Sequence, residues 1–382
     1  MTPAVWASAA PAVTFTMAGI LEAVVARGSN GVTWTALAFA TLLSFGGAAP
    51  AGPAAFDWRL PPGWSPPPVP ADNPMNAAKV ELGRWLFYDR RLSASGEMAC
   101  ASCHQQARGF SDGLPTHVGA TGQPGLRNAM ALANVGWFKE LTWVDPTITS
   151  LEQQAHTPMY GAHPVEMGLP PGDGGIWRKL SGEACYSRLT PRAFPGAGAR
   201  LTPDLAVKAI AAFERTLISA DAPFDRYRRG DASAVSEQAR KGMALFYGPR
   251  FQCAVCHVGP RFTDADKPDG RHAIGSGLLP GEDQGYDTPA LAVEQGRYRT
   301  PSLRNVALSA PYLHDGSAPR LEDAIVAHRG VTFGILTADD LPPLVAFLKA
   351  LTDETLTTSP RFGPPNFTKC KLPARILAYP AL

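Results

Sequence analysis

Two five-residue stretches carry the clearest chemistry in this chain: Cys100-Ala101-Ser102-Cys103-His104 and Cys253-Ala254-Val255-Cys256-His257. Each is a complete CxxCH site, in which two thiols add across the vinyl groups of a haem and the adjacent imidazole becomes an iron ligand. A zinc knuckle would pair its CxxC with further Cys or His at short range, and a thiol–disulfide motif has no need of His directly after the second Cys. Two covalently bound c-type haems are therefore expected, one on Cys100, Cys103 and His104 and one on Cys253, Cys256 and His257.

The elements that must position these sites are helical. Ala77 to Tyr88 reads as an amphipathic helix running towards the first CxxCH, and folded structure is expected to begin near Asn76. A partial echo, Ala239 to Tyr247, leads into the second site and shares the Gly and the Leu-Phe-Tyr triplet, which suggests an ancient duplication. Thr202-Pro203-Asp204 opens a helix through Leu217, with Thr as N-cap and Pro in the first turn. Further helices are expected over Leu321 to His328 and from Thr337 to Leu351. No strand run is long enough for a sheet of size. The expected fold is all-α: two cytochrome c-like haem domains, loop-rich, with little or no β-sheet. The expected domains are a leader over 1–55, a Pro-rich extended arm over 56–75, an N-terminal haem domain over 76–234 and a C-terminal haem domain over 235–382, with the boundary in the polar linker Ala232 to Ser236.

Composition sets the frame. With 382 residues, 45% apolar and 18% charged, the chain can build two real cores. A net charge of +2 argues against a nucleic-acid role. Gly and Pro, 37 of each, imply long ordered loops, as expected where bulky cofactors replace part of the core. Arg27, the apolar run from Val32 to Phe45 and the small residues Gly46 to Ala55 resemble a secretory leader, too short for a stable membrane span. The true start could lie at Met17. Haem is attached to CxxCH outside the bacterial cytoplasm, so leader and haem sites agree on the periplasm. There Cys185 and Cys370 could form a disulfide or stay as two buried thiols.

Further motifs point to a family. Arg299-Thr300-Pro301-Ser302-Leu303-Arg304-Asn305-Val306, then Ala310-Pro311-Tyr312-Leu313-His314-Asp315-Gly316, resemble the signature after the second haem in bacterial di-haem cytochrome c peroxidases and their MauG-type relatives. Leu151 to Ala155 and Pro164 to Gly168 resemble the same superfamily's distal-pocket segment, and the likeness covers about residues 75 to 350. Two details resemble the MbnH type associated with methanobactin operons. Trp143-Val144-Asp145-Pro146 replaces the usual Trp-Asp-Gly-Arg, and the segment from Gln154 to Glu166 is two residues longer.

The resemblance implies roles. His104 is the proximal ligand of a first, peroxide-binding haem, with Gln154, Pro158 and Glu166 on the opposite face. There the Pro offers no ligand, and Glu166 serves as acid–base for splitting the O–O bond. His117, His156 and His163 could each close that iron, and an open first haem is the reading favoured. At the second haem, the position fourteen residues after His314 is Met in the peroxidases and Tyr in MauG; here it is His328, so bis-His ligation by His257 and His328 is expected. Tyr298 and Tyr312 are the fallback ligands, and a surface histidine is the plain alternative for His328. Imidazole in place of thioether lowers the potential and favours higher oxidation states. Trp143 is expected between the haems as a charge carrier or as interface packing, with Trp137 a weaker candidate. The family's inter-haem calcium would fall on the side chain of Asn128 and the carbonyls of Ser309 and Pro311.

These implications describe a periplasmic oxidase that uses hydrogen peroxide to reach a high-valent di-haem state. It would then oxidise a partner by long-range electron transfer. The MbnH likeness implies that the target is a Trp, converted to kynurenine on a small secreted, copper-binding MbnP-like protein. A cytochrome c peroxidase fed by a small redox donor, and a non-catalytic di-haem electron carrier, are the rival readings.

Overall fold

The computed structural model describes residues 56–366 apart from 171, 173, 174, 268, 269, 274–296, 330, 331 and 333. The expected leader and Cys370 lie outside the described residues. From 56 to 76 the chain forms no helix, as its prolines require, and ends on buried Asn73. Asn76 then caps α1 (Ala77–Phe87), its side chain accepting from the Lys79 amide.

The first CxxCH forms α2 (Cys100–Cys103). It is followed by α3 (Leu151–Tyr160), α4 (Ile176–Ser181), α5 (Ala184–Ala193) and α6 (Pro203–Glu214). Thr202 caps α6 as expected, but the helix ends three residues short of Leu217. There the chain tightens, with the Leu217 amide bonded to the Glu214 carbonyl and the Leu217 carbonyl accepting from Asn134. After α7 (Pro223–Arg228), α8 (Glu237–Tyr247) realises the predicted echo. Strands β1 (Arg271–Ala273) and β2 (Arg297–Arg299) pair antiparallel, and no larger sheet is present among the described residues. The chain then forms α9 (Leu321–Ala327), α10 (Leu341–Lys349) and α11 (Glu354–Thr358). The helix expected from Thr337 opens as a short 3₁₀ turn and becomes α-helical only at Leu341. Pro342 and Pro343, without N–H groups, sit in its first turn, where none is needed.

The helices pack in two crossed pairs. At the α1–α6 crossing, a Cβ on Gly83 would fall 1.8 Å from the Ala209 carbonyl oxygen and 2.9 Å from Phe213 Cβ. At the α8–α10 crossing, Gly242 meets the Pro343 carbonyl and Phe347 Cβ at the same two distances. Both glycines are therefore contact points where backbone touches backbone, and the pairing gives the sequence echo a structural form. Around the first pair lie Leu82, Leu86, Phe87, Tyr186, Ile210 and Phe213; around the second lie Phe246, Phe251, Phe262, Leu344 and Leu348. The chain crosses between these cores: Phe224 of α7 packs in the second, and Leu356 and Phe362 pack in the first.

Gly242→Ala is expected to destabilise the haem-loaded protein by about 3 kcal/mol, because the added methyl meets a carbonyl that the helix cannot withdraw. The check is denaturant unfolding followed at the haem absorbance.

Candidate active site

Each CxxCH is turned so that its histidine can face an iron. In α2 the Ala99 amide donates to Ser102 Oγ at 3.0 Å and the His104 amide to the Cys100 carbonyl at 3.0 Å, which winds both thiols onto one tight turn. His104 Nδ1 lies 3.0 Å from the Phe110 carbonyl oxygen. Because a carbonyl only accepts, Nδ1 carries the proton and Nε2 keeps its lone pair. The second site repeats this, with His257 Nδ1 3.2 Å from the Phe262 carbonyl. Phe110 and Phe262 both adopt left-handed backbone, φ 67° and 53°, which turns each carbonyl back towards its histidine. Burial pushes both imidazoles down to about 4, with the charge of His328 adding to the effect at His257. Both rings are therefore neutral at physiological pH, as iron ligation requires, and the residues fit two covalently held haems.

His328 follows the last residue of α9, and its Nδ1 donates to the Ala324 carbonyl at 2.7 Å. Its ring centroid lies 6.3 Å from that of His257, with the planes inclined by 55°. Two imidazoles on opposite sides of one metal, each bonded at about 2 Å, place their centroids roughly 6.4 Å apart. Tyr298 lies elsewhere, stacked on His314 with centroids 3.8 Å apart. Tyr312 packs at the edge of the second core, its hydroxyl pushed up to about 12 by burial and by Glu322.

Beside His104 a cavity brings together Gln154, Pro158 and Glu166, and it is continuous in its lining with a cleft that runs past Asn128 and Trp143 to Arg299. Gln154 and Pro158 stand one turn apart on α3, a helix started by Ser150, whose side chain accepts from Gln153. Pro158 cannot donate to the Gln154 carbonyl and contributes only an apolar wall. Burial raises the Glu166 carboxyl, opposed by His117, whose Nε2 is 3.8 Å from Glu166 Oε1. His117 is 9% exposed and lines the cavity; His163 is exposed on the cleft, and His156 is exposed on α3. Cys103, Asp112 and His117 bring ligand atoms within 4.8 Å of one another, but Cys103 belongs to haem attachment and the trio is no separate metal site.

Along the cleft, Trp143 is buried and its Nε1 donates to the Asn128 carbonyl at 2.9 Å. Its own carbonyl accepts from the Arg299 amide at 2.9 Å. Asn128 Nδ2 donates to the Leu114 carbonyl at 2.7 Å, while its amide donates to the His314 carbonyl at 2.7 Å. Ser309 Oγ turns back onto the Val306 carbonyl. Trp137 is remote from this line: its Nε1 donates to Ser65 and its ring meets Trp64 edge-on at 5.4 Å.

The tertiary fold adds three residues that sequence reasoning did not select, Arg215, Asn73 and Glu214. Arg215 holds Glu152 through two bonds of 2.8 Å, and Asn73 adds a third at 2.6 Å, so the helix carrying Gln154 and Pro158 is bolted to α6. Glu214, the last residue of α6, lines the cavity beside His104. The sequence signal was an acid closing the apolar run Ala209-Ile210-Ala211-Ala212-Phe213.

Fold and site together define a di-haem, helix-rich oxidoreductase. Residues 77–233 match the di-haem cytochrome c peroxidase family. The chain is 38% identical over 264 residues to the methylamine utilization protein MauG of Methylorubrum extorquens, covering 68% of this chain and 71% of that protein. It is 34% identical over 288 residues to the cytochrome c551 peroxidase of Pseudomonas aeruginosa, covering 73% and 80%. A solved MauG-like protein associated with microbial copper homeostasis superposes with a TM-score of 0.75 at 36% identity, over 81% of this chain and 99% of that one. The chain thus belongs to the di-haem cytochrome c peroxidase and MauG family. It carries two c-type haems and is a haem-dependent oxidoreductase that uses peroxide. Among the described residues no helix is long and apolar enough to cross a membrane.

Arg215 and Asn73 hold the Glu152 carboxyl below its ordinary value, outweighing its burial. A depressed carboxyl contributes stability that is complete above the unfolded value, about 4.3, and is lost as pH falls through the folded one. Stability of the holo-protein is expected to drop as pH falls below about 4, and Glu152→Gln should lose most of that acid-limb slope while being less stable at neutral pH by about 3 kcal/mol. Urea midpoints measured from pH 3 to 7 on both proteins check this.

Proposed function

We propose that this protein is a periplasmic di-haem oxidase that uses hydrogen peroxide to oxidise a partner protein at a distance. The target would be a Trp, converted to kynurenine on a small copper-binding secreted protein. The likeness to a MauG-like protein associated with copper homeostasis supports this choice of target. The observation that carries the oxidative reading is the 6.3 Å separation of His257 and His328. It suits bis-imidazole ligation, which disfavours the easily reduced second haem that a scavenging peroxidase needs.

The haems, when bound, would supply electrons to peroxide and take electrons from the partner. The protein's share is positional. Pro158 leaves the distal side of the first site without a ligand, and Gln154 orients peroxide. Glu166, its carboxyl raised by burial, moves a proton between the two peroxide oxygens. His117 beside Glu166 limits how far that carboxyl rises. Trp143, held by its bond to Asn128, lies along the cleft leading from the first site and would carry charge between the halves. Asn128 Oδ1 and the carbonyls of Ser309 and Pro311 would hold calcium; the Nδ2 bond to Leu114 supports this by fixing the amide with Oδ1 as its free acceptor face. On this reading 76–234 is the peroxide half and 235–382 the electron-storing half.

The deciding experiment is a titration of the diferric protein with stoichiometric peroxide, without prior reduction, followed by EPR and near-infrared absorption. Loss of the ferric signals with a new near-infrared band is expected. No reaction until one electron is added would mean a conventional cytochrome c peroxidase. Glu166→Gln should slow this step about 10²-fold or more with both haem spectra intact. His328→Met should raise the second haem's potential by on the order of 0.1 V or more, and an unchanged potential would assign the ligand elsewhere.

A further inference from the structure

Glu214 is the acid in the first cavity that the proposed chemistry leaves unused. It is 6% exposed, and its Oε2 is fully enclosed with no hydrogen-bond partner. It lines the same space as His104, His117, Gln154 and Glu166. Among the described residues the cation acting on it is Arg215, which is doubly bonded to Glu152 and so offsets little of the burial. Glu152 itself adds a like charge. A carboxylate so placed would be an uncompensated buried charge, a state that proteins avoid by keeping the proton. Consistently, burial pushes this carboxyl up to about 8.

A neutral acid facing a cavity is a proton donor. Reduction of hydrogen peroxide to two waters takes up two electrons and two protons. The electrons come from the protein substrate. Glu166, on the reading above, moves a proton that peroxide already carries and adds none to the balance. The two protons must reach an enclosed site from elsewhere.

We propose that Glu214 is the second carboxyl of the peroxide site, supplying one of the two protons that peroxide reduction consumes and recovering it from solvent through the cleft. This rests on the peroxide reading of the first cavity. The oxygen that departs when the O–O bond breaks leaves as water with the proton that Glu166 moves. The second oxygen takes the Glu214 proton and one from solvent as the two electrons arrive and leaves as the second water, and the Glu214 carboxylate is reprotonated before the next turnover. The division of labour is then spatial: Glu166 stands by His117, which favours its anion, whereas the cation next to Glu214, Arg215, is committed to Glu152, and Glu214 keeps its proton.

The test uses the haem-loaded wild type, Glu214→Gln and Glu214→Asp. Gln matches the shape and removes the ionisable group, so both haem spectra should be retained. At pH 7 the infrared spectrum should show the carbonyl stretch of a protonated carboxylic acid, shifted in D2O and absent only from Glu214→Gln. Stopped-flow mixing with peroxide and then with ascorbate as electron donor should show the return to the diferric state slowed at least about 10-fold in Glu214→Gln, with Glu214→Asp nearer to wild type. The wild-type rate should fall as pH rises through the titration of Glu214, and the Gln variant should lack that limb. No protonated carboxyl assignable to Glu214, or a Glu214→Gln rate equal to that of wild type, overturns the proposal. A wild type inert to peroxide overturns the peroxide reading itself and the donor role with it. The two failures differ, because in the first the wild type reacts and in the second it does not.

Discussion

The bond from each attachment-site imidazole to a backbone carbonyl, His104 to Phe110 and His257 to Phe262, governs the rest of the structure. It sets the tautomer, aims Nε2 and demands a left-handed residue a few positions on. That residue brings a large ring with it: Phe110 packs against Phe87, and Phe262 against Phe246 and Phe347. The loop that orients the histidine is thereby tied to the crossed helices, and cofactor geometry and core packing become one constraint. The helices can meet this closely only because Gly83 and Gly242 lack side chains.

Two haem-binding halves are useful together only if their separation is fixed. A buried polar network joins them. The Asn134 and Asn305 side chains both bond to Ser219, through its carbonyl and amide in one case and its hydroxyl in the other. The Asp353 amide donates to Asn305, and the Asp353 carboxylate accepts from the Ala220 and Asp221 amides. These groups are buried and mutually satisfied, so shifting one half past the other would strand several donors and acceptors, each at a cost of about 1–3 kcal/mol. Asn134 and Asn305 are alike in backbone, both left-handed and both opening a short 3₁₀ turn.

The first cavity shows how charge is apportioned. It collects two carboxyls, Glu166 and Glu214, and the imidazoles of His104 and His117, while Arg215, next to Glu214, is committed to holding α3 through Glu152. Structural and chemical acids are thereby separated on adjacent residues: Glu152 is held ionised by Arg215, and Glu214, next to that same Arg, is left to keep its proton.

Covalent chemistry was legible in the sequence because it is local. CxxCH places three groups within one turn, and the caps Asn76, Thr202 and Ser236 sit beside the helices they start. The Gly and Leu-Phe-Tyr echo showed two halves of one kind. Helix ends were less legible, since Glu214 and Leu341 mark boundaries set by a turn onto Asn134 and by paired prolines. The short helices α4, α5, α7 and α11 carry little periodicity of their own. Motif likeness brought Gln154, Pro158, Glu166 and His328 into view, but not what surrounds them. Only the tertiary structure decided that His328 comes within 6.3 Å of His257, that His117 meets Glu166, and that Glu214 Oε2 is enclosed with no hydrogen-bond partner among the described residues. Residues 71 and 49 positions apart can meet only through packing, and desolvation, which sets whether an acid keeps its proton, is a property of the folded surroundings and not of the residue.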